Sequence, residues 1–347
     1  MRPQIEQLTL LKWRDVPCVS VRVHPASSEV NLRADKTYLL VGMTGDLGRS
    51  ICEWMVGRGA RHVVLTSRRP QVDERWISSM SKAGAQVVVL SMDVTNKQSI
   101  LTVATRICNT LPSLGGLVNG AMIMKDEVFS NLSWAGMQRV FAPKVTGSVL
   151  LDEIYHDTPL DFFILFGSLA APLGNPGQSA YWAGNSFMSA IIARRRARGQ
   201  VGSIICPGEI QGVGYVARAS VTVMQALRRS AGSLSLSEDD VHELFAEAIL
   251  AGYPGTDSNR PAEIIAGLPH VSPTEYPDIM WLNNPPRMAS CQPRQSRFNH
   301  RSVLDDSKRG SRPEDSTQLH NHPRRSDIRH RAGIHVQNPP QILNNCW

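Results

Sequence analysis

Short, wholly apolar runs alternate along this chain with longer amphipathic stretches. TYLLV (37–41), HVVLT (62–66), QVVVLSMDV (86–94), GGLVNGAM (115–122), DFFILFGS (161–168), VGSIICPG (201–208) and AEIIAG (262–267) read as strands. They are apolar throughout rather than every second residue, the pattern of strands covered on both faces. Between them lie helical patterns. LGRSICEWMVGRG (47–59) places Leu47, Ile51, Trp54 and Met55 on one face and closes on glycine. Residues 76–84, 96–110, 131–155, 178–198 and 237–252 continue the alternation, with Pro143 expected to interrupt the fourth of these six helices. Buried strands separated by helices over about 37–270 predict a doubly wound α/β domain on a parallel, Rossmann-type sheet.

The flanks read differently. Residues 1–36 hold one short apolar alternation, VPCVSVRV (16–23), expected as a linker with an edge strand. The domain is drawn over 37–285. From 286 to 347 the chain is rich in Pro, Arg, Ser, His and Asn, and is expected to be a disordered tail because it buries too little surface to offset its ordering entropy.

Composition narrows the functional classes. A chain of 347 residues that is 42% hydrophobic can bury a sizeable core. The net charge of +7 suggests nucleic acid at first sight, but the tail carries eleven Lys/Arg against five Asp/Glu and so accounts for six of the seven charges. The body is nearly neutral, which argues against nucleic acid as its partner. Cysteines 18, 52, 108, 206, 291 and 346 are scattered with no metal-ligand spacing, so no metal is expected and free thiols in a reducing compartment are. No stretch approaches the length of a membrane span and no signal peptide is visible, and a cytoplasmic location is expected.

The candidate chemistry begins at VGMTGDLG (41–48), where Gly42, Gly45 and Gly48 fall between a strand and a helix. Glycine lets backbone turn sharply and approach a pyrophosphate, and the helix N-terminus offers free N–H groups to the anion. The next strand runs into Ser67, Arg68 and Arg69, with no acid to hold a ribose 2′-hydroxyl. Guanidinium groups there suit a 2′-phosphate, favouring NADPH over NADH. Asp93 could accept a hydrogen bond from an adenine amine or cap the following helix. Asp46 would repel a phosphate unless it faces solvent, or it could favour the helix N-terminus.

Lys144, Ser168 and Tyr181 follow. Reducing a ketone needs hydride on carbon and a proton on oxygen. A tyrosine supplies the proton if an ammonium stabilises its anion, and a serine hydroxyl can hold the carbonyl oxygen. The commonest arrangement places that lysine four residues after the tyrosine, but here the position is Asn185 and the available lysine is Lys144, on the preceding helix.

Lys144, Ser168, Tyr181 and Asn185, together with KTYLLVGMTGDLGRSICEWMV, GARHVVLTSRRP, LDEIYHDTPLDFFILFGS, GNPGQSAYWAGNSFM and FAEAILAGYPG, resemble the ketoreductase domain of fungal highly reducing polyketide synthases, including those fused to nonribosomal peptide synthetases. That domain belongs to the short-chain dehydrogenase/reductase superfamily, and the resemblance covers roughly residues 30–285. It implies Tyr181 as proton donor and Ser168 as the group orienting the carbonyl. It implies Lys144 tuning the phenol and contacting the cofactor ribose, with Asn185 supporting the lysine and a proton relay. Gly42, Gly45, Gly48, Ser67, Arg68 and Asp93 would hold NADPH; Asn119, Gly120 and Ala121 would face its ribose; Gly212–Leu236 would be a lid. The implied substrate is a β-ketoacyl chain on the phosphopantetheine arm of an acyl carrier protein, with other synthase domains as partners. A reductase of a free small ketone and a catalytically silent fragment or scaffold remain as alternatives.

Some positions depart from the family. Gly167 stands where serine often precedes the catalytic serine, a change expected to matter little. Trp182 replaces a smaller residue at the pocket rim, and MKD (124–126) stands where some relatives carry an Asp-rich marker. Arg194, Arg195, Arg196 and Arg198 read as a solvated helix end.

Overall fold

The computed structural model of the chain describes residues 24–213, 234–254 and 260–268. Seven parallel strands form one sheet in the order β3-β2-β1-β4-β5-β6-β7. In chain order they are β1 (Thr37–Val41), β2 (His62–Ser67), β3 (Gln86–Ser91), β4 (Leu114–Asn119), β5 (Phe162–Phe166), β6 (Ser203–Pro207) and β7 (Glu263–Ala266). The helices are α1 (Asp46–Gly57), α2 (Glu74–Lys82), α3 (Lys97–Thr110), α4 (Trp134–Lys144), α5 (Thr146–Ile154), a single turn α6 (Ala170–Leu173), α7 (Ser179–Ala197) and α8 (Glu238–Ala251). The doubly wound parallel sheet expected from the apolar runs is therefore the fold.

The sheet is buried from both sides, which is why its strands read as apolar throughout. Along β1, Tyr38 and Leu40 join Ile51, Met55, Phe162 and Phe245 on the face covered by α1 and α8. Leu39 and Val41 join Ile100, Leu151, Phe163 and Met188 on the face covered by α3, α5 and α7. Successive side chains of a strand point to opposite faces, so a strand with helices on both faces has no polar side to show.

Three findings differ in detail from the sequence reading. The break in the 131–155 helix falls at Val145 rather than Pro143, which lies inside the last turn of α4. Proline has no N–H to give, yet the turn survives because Val145 N–H reaches the Phe141 carbonyl at 2.7 Å before the chain redirects. Residues 24–36, placed in the linker, pack onto the domain: Val30 is buried, and Ser27 bonds through both its N–H and its hydroxyl to Glu243 on α8. The arginines ending α7 are not a solvated run. Arg195 is fully buried, its guanidinium 4.0 Å from the Phe163 ring centroid and 2.6 Å from Asp152. Arg194 and Arg198 close on the same carboxylate, and Arg196 donates to the Ala251 and Gly252 carbonyls. Burial opposes the Asp152 charge, but the bonds from Arg198, Arg195 and Arg194 overcome it and hold the carboxyl below its ordinary range.

The expected edge strand at 16–23, most of the expected lid at Gly212–Leu236 and the tail at 286–347 lie outside the described residues.

Candidate active site

The chain runs β1, β2, β3 outward in one direction, then returns to place β4 on the other side of β1. This reversal opens a crevice at the carboxyl ends of β1 and β4, where ligands of open α/β sheets bind. Both halves of the sequence constellation meet along this edge.

The glycine turn leaves β1 here. Gly42 has φ +73 and lies so close to the strand-β4 exit that an added Cβ would stand 2.5 Å from the Ala121 Cα. Gly48, in the first turn of α1, packs on the turn itself: a Cβ would stand 1.9 Å from the Met43 carbonyl oxygen. Gly45 differs from both. It caps α1 in extended geometry, and a Cβ there would meet nothing within 4 Å. Neither backbone conformation nor protein packing demands glycine at 45; the open space beside the N-terminus of α1 has the shape of an anion cradle. Asp46 lies in the first turn of α1 and pairs with Arg49.

At the end of β2, the Ser67 hydroxyl accepts from Thr44 at 2.9 Å, tying this strand to the glycine turn. Arg68 and Arg69 are exposed, and among the described residues neither is paired with a carboxylate. Asp93 does not cap α3, a role taken by Asn96 through Ser99 N–H; its Oδ1 instead accepts from the Thr95 N–H and hydroxyl at 2.9 and 2.7 Å. Gly120 and Ala121 line the turn after β4. Asn119 is buried, and its side chain turns inward rather than toward the crevice. It donates to the Pro143 carbonyl and the Ser148 hydroxyl and accepts from Ala121 N–H, pinning β4 to the α4–α5 corner.

The candidate catalytic residues lie across the crevice on α4, the loop after β5 and α7. Tyr181 is in the first turn of α7 and is 7% exposed. Lys144 ends α4, is 2% exposed and places Nζ 5.1 Å from the centroid of the Tyr181 ring. The lysine of a neighbouring helix thus reaches the tyrosine, over the face of its ring. Its ammonium donates to the Phe166 carbonyl at 2.9 Å, linking it to the end of β5. Burial pushes the Lys144 amine down to about 7. Burial raises the Tyr181 phenol, opposed by the side chains of Ser168 and Asn185 beside it.

Asn185, one turn after Tyr181, is fully buried and donates through Nδ2 to the Tyr181 carbonyl at 2.7 Å. Its Oδ1 is buried with no hydrogen-bond partner among the described residues. Ser168 accepts from Ala170 N–H at 3.2 Å through the hydroxyl oxygen, which leaves the hydroxyl proton for another acceptor. An unspent amide oxygen, an anion cradle and unpaired arginines at the end of β2 are the donors and acceptors a phosphorylated dinucleotide needs, so the residues fit a nicotinamide cofactor.

Sequence reasoning reached the rim only at Trp182 and residues 124–126. The Met122 sulfur lies 3.9 Å from the Tyr181 hydroxyl, and Gln178 bonds Asp126 at 3.0 Å across the entrance. Trp182 is anchored by its indole N–H to the Ala171 carbonyl at 2.7 Å. Met122 was missed, because its contact with a residue 59 positions away has no local signal.

Several known proteins are similar to this chain. A family model described as the KR domain matches residues 36–211. The highly reducing polyketide synthase verA of Penicillium polonicum is 51% identical over 278 residues, 80% of this chain and 11% of that protein. The polyketide synthase-nonribosomal peptide synthetase pyiS of Pyricularia grisea is 44% identical over 269 residues, 77% of this chain and 7% of that protein. Among solved structures, a ketoreductase domain from the bacillaene assembly line superposes with TM-score 0.60 at 27% identity, covering 68% of this chain and 57% of its own. The chain spans about a tenth of the length of the curated relatives it matches. On the family match over residues 36–211, the identity shared with these synthases and the common fold, the chain belongs to the KR-domain family, the ketoreductases of polyketide synthases, within the short-chain dehydrogenase/reductase superfamily.

Proposed function

We propose that this chain reduces the β-keto group of an acyl thioester to the β-hydroxyl with NADPH, the thioester being carried on the phosphopantetheine arm of an acyl carrier protein. The observation that carries the reading is the buried Lys144 amine over the ring of Tyr181, with Ser168 and Asn185 beside the same phenol.

Gly42, Gly45 and Gly48 with the N-terminus of α1 would hold the pyrophosphate. Ser67 and Arg68 would hold a 2′-phosphate, and the lack of an acid at the end of β2 favours NADPH. Asp93 Oδ2 would receive the adenine amine, while Gly120 and Ala121 would border the ribose. A bound NADPH contributes hydride to the carbonyl carbon. Tyr181 gives its hydroxyl proton to the carbonyl oxygen as the carbon–oxygen π bond becomes an oxygen–hydrogen bond. Ser168 donates its hydroxyl proton in a hydrogen bond to that oxygen and fixes its direction. The Lys144 cation, held over the ring by the Phe166 carbonyl, stabilises the phenolate that remains. Asn185 holds the first turn of α7 and offers Oδ1 to the water or hydroxyl that returns a proton. The partners in this reading are the carrier protein and neighbouring synthase domains.

Loss of NADPH absorbance is followed with a short β-ketoacyl thioester and, separately, a free ketone of the same carbon skeleton. The thioester should turn over faster. Tyr181→Phe should abolish turnover while NADPH affinity, read by fluorescence titration, changes little. Retained activity in that variant would remove the assignment, and equal turnover of the free ketone would remove the thioester from it.

A further inference from the structure

Ser168 is the one member of the catalytic set carried on the loop just past a strand end rather than within a helix. Its neighbours on both sides are fastened to β6: Gly167 N–H bonds the Ile205 carbonyl at 2.7 Å and Leu169 N–H bonds the Pro207 carbonyl at 2.9 Å. Cys206 lies between those two acceptors, directly opposite the Gly167–Ser168 step. It is fully buried, and a Cβ added to Gly167 would stand 2.8 Å from its sulfur. Behind the thiol, Cys206 Sγ reaches Glu263 Oε1 at 3.9 Å, and the Ser189 hydroxyl donates to that same oxygen at 2.9 Å. A sulfur backed by β7 and α7 therefore occupies the space that a side chain at 167 would need.

The geometry points to Cys206 as a positioning residue for Ser168: its thiol fills the volume vacated at Gly167, and the Gly167–Cys206 pair together sets where the serine hydroxyl stands. The inference rests on the reading of Ser168 proposed above. A side chain at 167 has two routes of relief. Either the sulfur moves against Glu263 or the Gly167–Ser168 backbone lifts away from β6. The sulfur is hemmed in by β7, whereas the backbone leads into the crevice, so the displacement passes to Ser168. A small shift of a reacting group costs kcat far more than it costs binding.

The test is a suppressor pair assayed for thioester reduction, with thermal melting recorded on every variant. Gly167→Ala is expected to lower kcat about 10-fold or more while KM stays within about 2-fold. Adding Cys206→Ala should recover much of that loss, because the remaining neighbours of the new methyl, Ile204 Cδ1 and the Ile205 carbonyl, lie at 3.2 Å. Cys206→Ala alone should lower kcat by a few-fold and Cys206→Ser should lie nearer the parent. In a Ser168→Ala background, Cys206→Ala should have no further effect on the residual rate. The inference is overturned if Gly167→Ala keeps the parental kcat, if the double variant is no faster than Gly167→Ala, or if Cys206→Ala costs as much with Ser168 absent as present. Should Gly167→Ala not fold, the comparison of Cys206→Ala in the two backgrounds decides alone. Ser168→Ala at full activity would overturn the catalytic reading itself, an outcome distinct from a dead Ser168→Ala beside an indifferent Gly167→Ala.

Discussion

Lys144→Met separates what the buried amine does for the reaction from what it costs the fold. Burial lowers the Lys144 amine from 10.5 to about 7, so below neutrality the folded protein holds a poorly solvated cation that the unfolded chain holds in water. At 1.36 kcal/mol per unit, that depression is a penalty of at most about 5 kcal/mol. Removing the amine also strips the Phe166 carbonyl of its donor, which costs about 1–3 kcal/mol. Methionine keeps most of the volume, so the variant should be more stable than the parent by about 2–4 kcal/mol at pH 6.5, or about 5–10 °C in melting temperature. The sign of the pH dependence follows from the depressed value. Between 7 and 10.5 the unfolded chain binds the extra proton, so the parent gains stability as pH rises through that window and loses it as pH falls. The variant lacks this slope. Melting curves of both proteins from pH 6 to 9.5 should therefore converge toward the alkaline end, while thioester reduction by the variant is lost. A constant difference between the two curves, or a variant less stable at pH 6.5, would refute the desolvated-ammonium argument.

Three other outcomes follow from the same structure. Gly45→Val should leave melting within about 2 °C, since its Cβ position is open, yet weaken NADPH binding at least about 10-fold in a fluorescence titration; unchanged affinity would remove the anion cradle. Arg68→Ala with Arg69→Ala should raise the dissociation constant for NADPH about 10-fold or more and leave that for NADH nearly unchanged; equal losses would mean the arginines do not read the 2′-phosphate. Asp152→Ala, which strands the buried Arg195, should destabilise the fold by about 3–5 kcal/mol in urea titration; a loss below about 1 kcal/mol would mean the arginine run finds other partners.

The strands were legible because burial on both faces leaves its mark residue by residue, and the helices because glycine and polar caps punctuate them. The glycine triplet was legible as a motif but not in its division of labour: Gly42 and Gly48 answer to packing, Gly45 to empty space, and that distinction exists only in three dimensions. Arg194, Arg195, Arg196 and Arg198 misled because four cations within five positions look solvated; their carboxylate, Asp152, lies more than 40 positions away and is itself buried. Asn119 has the right address beside the crevice, but its side chain obeys the nearest unsatisfied groups, the Pro143 carbonyl and Ser148. Lys144 was legible as a candidate because the chemistry calls for a cation and this lysine stands at the spacing of the family it resembles; its place over the Tyr181 ring appears only in three dimensions. Gly167 looked innocuous because its constraint is set by the register of β5 against β6, which no single strand discloses.

The bond between Ser27 and Glu243 spans 216 residues, and α8 closes the same sheet face that β1 opens. On a ribosome adding about 5–20 residues each second, roughly 10–40 s separate the emergence of those two groups. Through that interval Tyr38, Leu40 and Phe162 wait for the helix that will shield them. Nascent chains of this domain should therefore engage holdase chaperones until α8 clears the exit tunnel, and interruptions of translation just before it should be the most aggregation-prone.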